Sequence, residues 1–170
     1  EVHAVASRNK DWGLDLDDTV SVVLRFPNDG QATFVASYAM DAFEHYSLVG
    51  TKGSVEFQPA YSYGHGLEYD ITTGGETEHK SFPETDHFGG EAEYFSNCII
   101  NDLAPEPDGE EGWCDVRIVE AVRRALETGK PQKLEPYTRK RRIEPSQAMG
   151  LPPAQKPGLV NVADPSLDRD

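Results

Sequence analysis

Apolar and polar residues alternate through much of the first 82 positions, and the apolar spacing then lengthens to three and four. The first period is that of strands with one face turned inward; the second is that of helices. Val2, Ala4 and Ala6 make a short opening strand, followed by the polar link Asn9-Lys10-Asp11-Trp12-Gly13. From Asp18, the residues Val20, Val22, Leu24 and Phe26 share one face of a second strand, and Pro27-Asn28-Asp29-Gly30 turns the chain. Asp-Gly between alternating runs predicts a hairpin, whose return strand presents Ala32, Phe34, Ala36 and Tyr38. Tyr46 and Leu48 then lead into Gly50-Thr51-Lys52-Gly53, and Val55 and Phe57 leave it. These two glycines are expected to supply positive backbone angles. Leu67, Tyr69 and Ile71 form a third alternating run, turned by Gly74-Gly75 and returned by Thr77 to Phe82.

Two helices are predicted next, Asp86 to Leu103 and Asp108 to Gly129. Phe88, Ala92, Phe95, Ile99 and Leu103 line one side of the first. In the second, Ile118, Val119, Val122, Ala125 and Leu126 make the core-facing stripe. Asp108 stands where a helix cap belongs, with Glu111 three residues on to complete a capping box, and Gly129 and Pro131 end the helix. Consecutive hairpins followed by two amphipathic helices predict an α+β fold, an open-faced and mainly antiparallel sheet with both helices on one face.

Composition narrows the picture. A chain of 170 residues is long enough for one domain of its own core. Thirty Asp and Glu against sixteen Lys and Arg give a net charge of −14, which repels nucleic-acid backbones and anionic membranes. Such acidity serves solubility, and it also suits a high-salt setting. Half of the twelve prolines lie beyond residue 135, so the expected organisation is a domain over 1–135 and an extended arm over 136–170. The arm carries six basic residues against four acidic ones, which leaves the body at −16. A positive arm on a negative body has two readings, attachment to its own domain or a neighbour and disorder. No apolar run approaches the roughly 20 residues of a membrane span. No signal peptide is visible either, and the expected location is cytoplasmic. Cys98 and Cys114 read as buried free thiols within the helices.

Little of the chain reads as a reaction centre. His3, His45, His65, His79 and His87 lack metal-ligand spacing, so no metal is expected. Gly64-His65-Gly66 and Gly89-Gly90 fail the spacing of a dinucleotide fingerprint, and no nucleophile motif occurs. Arg139-Lys140-Arg141-Arg142 reads as a solvated or carboxylate-paired run, because the surrounding acidity opposes phosphate. Catalytic and cofactor-binding residues are therefore both expected to be none. Tyr61 and Tyr63, in the loop after the second hairpin, offer faces and hydroxyls that suit a sugar, against the plainer role of packing on the sheet edge. Asp86 and His87 stand at the amino end of the first helix, where a capping role is the plainer reading for Asp86.

Three motifs then carry a resemblance: Tyr46-Ser47-Leu48-Val49-Gly50-Thr51-Lys52-Gly53-Ser54-Val55, Pro59-Ala60-Tyr61-Ser62-Tyr63, and Glu91-Ala92-Glu93-Tyr94-Phe95-Ser96-Asn97-Cys98-Ile99. With Glu110-Glu111-Gly112, Asp115 to Ala121 and Glu127-Thr128-Gly129-Lys130-Pro131, the chain resembles the carboxy-terminal domain of the glucose-fructose oxidoreductase and inositol dehydrogenase family, over about Glu1 to Leu134. The resemblance implies a two-domain oxidoreductase using NAD or NADP on a sugar or polyol. It also implies a homo-oligomer built through the open sheet face, and a substrate pocket with one wall in this domain. Tyr61, Tyr63 and His87 are the substrate-binding candidates for that wall. The family's Rossmann domain, with its glycine fingerprint and its Glu-Lys-Pro lysine, and the catalytic histidine that follows it on a helix before the strand resembling Glu1 to Ser7, match no residues here, so none of those roles is carried over. The expectation is a fragment of a longer enzyme, bound to its missing Rossmann domain in the intact protein and inactive in hydride transfer alone. The alternative is a free-standing assembly or carbohydrate-binding module.

Overall fold

In the computed structural model, residues 1–9, 13 and 15–155 are described. Seven strands are followed by two helices: β1 (Val2–Ser7), β2 (Thr19–Arg25), β3 (Gln31–Ser37), β4 (Tyr46–Gly50), β5 (Gly53–Phe57), β6 (Leu67–Thr73), β7 (Glu76–Phe82), α1 (His87–Ile100) and α2 (Gly109–Thr128). The class is the expected one, α+β with open antiparallel sheets and two helices. The strands form two sheets, however, of order β1-β2-β3 and β4-β5-β6-β7. After β3 the Ser37 hydroxyl accepts from the Ala39 N–H, and a run of bends replaces the tight hairpin turn that would have set β4 beside β3.

The chain divides into two compact units, Glu1–Phe43 with Asp102–Gln147, and Glu44–Asn101 with Ala148–Asp170. In the first unit Val2, Ala4, Val20, Val22 and Leu24 form the inner face, as the alternation predicts, and α2 lays Ala121 and Val122 against it. Val2 and Val22 are each only 2% exposed, and burying a valine side chain contributes about 1.5–3 kcal/mol. Val2 also exchanges both backbone hydrogen bonds with Gln132, at 2.8 and 2.9 Å, which fixes the exit of α2 beside β1.

Both helix ends of α2 fall where the sequence puts them. Asp108 caps it, accepting from the Glu110 and Glu111 N–H groups, and Gly129 ends it in the left-handed region at φ 63°. The stripe needs correction at one position, because Val119 is exposed while Ala121 and Ala125 are the buried residues. Small side chains let the helix approach β1 closely, and a stripe chosen by hydrophobicity passes over Ala121.

In the second unit, α1 ends at Ile100 rather than Leu103, and Asp86 caps it by accepting from the Gly89 N–H at 2.8 Å. Its predicted apolar stripe is exposed at Phe88, Phe95 and Ile99, with Cys98 its buried residue. Both cysteines are free thiols, but Cys114 is only half-buried. Gly50 and Gly53 do not have positive backbone angles; among the described residues of this unit, Gly64, Gly74 and Gly75 do. Gly53 is demanded by proximity instead, since a Cβ there would stand 2.1 Å from the Thr72 carbonyl oxygen of β6.

Candidate functional site

The sheet of the second unit is built from cross-strand aromatic neighbours. Tyr46 faces Phe57, and Phe57 faces Tyr69, through the antiparallel registers β4–β5 and β5–β6. Their rings form a row: Tyr46 stacks on Phe57 at 4.3 Å, Phe57 lies 5.0 Å from Tyr69, and Tyr69 lies 5.9 Å from Phe82. Such pairs stabilise a sheet beyond their buried area. Tyr61 extends this row, its ring 5.7 Å from Tyr46. Burial, with Tyr61 adding to it, raises the Tyr46 hydroxyl's pKa, so that hydroxyl stays protonated at neutral pH.

The loop that carries Tyr61 and Tyr63 is gathered by Glu44. One carboxylate oxygen of Glu44 accepts the Tyr61 N–H at 3.2 Å and also the Ser62 hydroxyl. Tyr63 turns to the amino end of α1, where its ring meets Phe88 edge-on at 5.3 Å and 77°. His87, half-buried, is the first residue of that helix, and Asp86 is engaged as its cap. The three candidates thus separate: Tyr63 and His87 both stand at the start of α1, while Tyr61 belongs to the aromatic row. Tyr61 and Tyr63 are about two-thirds exposed, so their faces and hydroxyls remain available. Sequence reasoning passed over Glu44 and Phe88. Periodicity places Phe88 in a helix stripe, and nothing in a lone glutamate before a strand shows that it gathers a loop some 17 residues on.

This arrangement can bind and orient a polar ligand with apolar faces. Among the described residues no group of three or more His, Cys, Asp or Glu is placed to hold a metal ion.

A second cluster lies in the first unit, where Arg139 reaches the carboxylates at the start of α2. Its guanidinium forks onto Glu106 at 2.8 and 3.1 Å, donates to Asp108 at 2.8 Å, and pairs with Glu111. Glu111 is therefore drawn away from the predicted capping box. Hydrogen bonding to Glu106 raises the Arg139 pKa further above its already high value. Backbone donation from Glu111 holds the Asp108 carboxyl below the usual range; burial opposes this shift and Arg139 reinforces it. Arg139 Nε, buried and without a hydrogen-bond partner, faces the Glu110 carboxylate at 3.8 Å.

Comparison with known proteins gives four findings. The family model described as oxidoreductase family, C-terminal alpha/beta domain, matches residues 1–134. A D-xylose 1-dehydrogenase [NADP(+)] of Haloarcula marismortui is 30% identical over 131 residues, covering 77% of this chain and 36% of that protein. D-xylose 1-dehydrogenase (NADP(+)) 2 of Haloferax volcanii is 26% identical over 136 residues, covering 79% of this chain and 41% of that protein. Among solved structures, an aldose-aldose oxidoreductase from Caulobacter crescentus, complexed with glycerol, superposes with a TM-score of 0.70 at 30% identity, over 78% of this chain and 40% of that one. The chain thus spans well under half the length of each relative.

Proposed function

This chain belongs to the oxidoreductase family whose C-terminal alpha/beta domain it matches, and on that premise we propose that it is the substrate-side and subunit-contact part of an NAD(P)-dependent dehydrogenase acting on an aldose. The nicotinamide cofactor is held by a Rossmann domain of the intact protein, and the hydride chemistry belongs to it. The role of this chain is to supply a wall of the sugar pocket from Tyr61, Tyr63 and His87. Relatives named for D-xylose and NADP favour a pentose and NADP as the first substrates to try.

The observation that carries this reading is the exposed ring of Tyr63 beside the amino end of α1, with the exposed ring of Tyr61 at the end of the aromatic row, on a chain of this family. An aromatic face packs against the C–H side of a sugar ring while the hydroxyl bonds its edge. The 170-residue chain alone is expected to reduce no NADP with D-xylose. In the full-length protein that bears it, Tyr63→Ala is expected to raise the KM for the aldose about tenfold and leave the KM for NADP unchanged, since one lost ring contact is worth about 1–2 kcal/mol. Turnover by the chain alone, or an unchanged aldose KM in Tyr61→Ala, Tyr63→Ala and His87→Ala together, would overturn the assignment.

A further inference from the structure

The family match ends at residue 134, yet the first compact unit continues to Gln147. The residues between are not an appendage. Arg117 of α2 donates to the Glu135 carbonyl at 2.6 Å and lies over the Trp113 ring at 4.7 Å, and Tyr137 meets that ring edge-on at 4.9 Å. The Tyr137 hydroxyl bonds Glu110. Arg141 donates to the Ala104 and Pro105 carbonyls, both at 2.9 Å, and Gln147 donates to the Glu106 carbonyl at 3.1 Å. Contacts therefore run the length of the segment.

The charges explain why such a segment is needed. Glu106, Asp108, Glu110 and Glu111 crowd into six positions at the start of α2, and the Glu106 side chain is only 4% exposed. A helix amino end favours negative charge, but it does not offset four carboxylates with one of them out of water. Among the described residues, Arg139 and Arg141 are the cations that face them. The Arg139 side chain is itself only 11% exposed, so neither partner is solvated without the other.

We propose that residues 135–147 are an electrostatic clasp that completes the fold of this unit, with Arg139 pinned into the carboxylates of Glu106, Asp108, Glu110 and Glu111. The folded domain in this chain thus extends beyond the family's own boundary. A groove of about 470 Å³ beside the clasp is lined by Glu111 and, from the arm, by Tyr137, Thr138, Arg139, Arg141, Arg142 and Ile143. Because Arg139 and Arg141 are already paired with carboxylates, the groove marks where the arm lies rather than an anion site. The fork geometry also makes the pin specific to arginine, since a lysine ammonium cannot engage two oxygens of Glu106 and Asp108 in one plane.

Phenylglyoxal labelling of the full chain, read residue by residue by mass spectrometry, tests this directly. Arg142 is exposed, and it serves as the internal reference. In the unaltered chain Arg139 is expected to label at least about tenfold more slowly than Arg142, since it labels only when the clasp opens. Glu106→Gln is expected to bring the two rates within about twofold, and Arg139→Lys to lower the thermal midpoint nearly as far as Arg139→Gln. Equal labelling of Arg139 and Arg142 in the unaltered chain overturns the proposal without any variant having to fold. So does a thermal midpoint that Arg139→Gln leaves unchanged.

Discussion

Gly53 and Gly50 close the same turn, yet they carry different constraints. A methyl group on Gly53 meets the Thr72 carbonyl oxygen at 2.1 Å, whereas one on Gly50 comes no nearer than 3.8 Å to the Gly53 oxygen. Neither has a positive φ, so the difference is one of space and not of backbone angle. Gly53→Ala must push β5 from β6 and is expected to cost about 1–3 kcal/mol, as overpacking does. Gly50→Ala is expected to stay within about 0.5 kcal/mol of the unaltered chain. Urea denaturation of both variants checks the contrast, and similar losses in the two would contradict it. The sequence shows two glycines at a turn; the neighbour across the ladder, which decides their roles, lies some twenty residues away and leaves no local mark.

At the scale of the element, α2 was legible at both ends and partly illegible along its face. Asp108 and Gly129 announce themselves because capping is local chemistry, set by a few adjacent backbone groups. The capping box failed at Glu111 for a tertiary reason: a guanidinium 28 residues on competes for that carboxylate. The hairpins at Gly30 and Gly74-Gly75 were legible for the same local reason as the caps, while the break between β3 and β4 was not, because pairing between hairpins is a long-range outcome. Tyr61 and Tyr63 were recognisable as loop aromatics, but their exposure and their separation, one to the sheet row and one to α1, required the structure. Asp108 also predicts an acid limb. Its pKa is lowered in the folded state below the ordinary 3.8, chiefly by the Glu111 N–H, so the stabilisation is complete above that ordinary value and is lost as pH falls through the lowered one. Asp108→Asn keeps a capping oxygen and removes the titration. Thermal midpoints measured from pH 7 down to pH 3 are therefore expected to fall less steeply for Asp108→Asn. Asp108→Ala is expected to lose roughly 2–4 °C already at pH 7.

For the whole chain, charge and the open sheet act against each other. Val5, Val23 and Val35 stand 69%, 39% and 58% exposed, and Ser21 pairs in register with both Val5 and Val35. All of them lie on the face of the first sheet opposite α2, because Val2, Val22 and Leu24 occupy the other. Apolar area of this kind gains by being covered, and a second copy of the chain is the occupant expected under the subunit-contact role. The same copies each carry a net charge of −14 and repel at low ionic strength. Salt shortens the range of that repulsion to about 8 Å at 0.15 M and about 3 Å at 1 M, and it leaves the apolar contact intact. Association is therefore expected to strengthen from 0.1 to 1 M salt, the reverse of an interface held by surface ion pairs. Sedimentation equilibrium at both salt concentrations measures it. Val35→Glu, which sets a charge into that face without touching α2, is expected to leave a monomer at 1 M salt. A dimer that persists in this variant would move the subunit contact off the first sheet, and one that dissociates as salt rises would make it electrostatic.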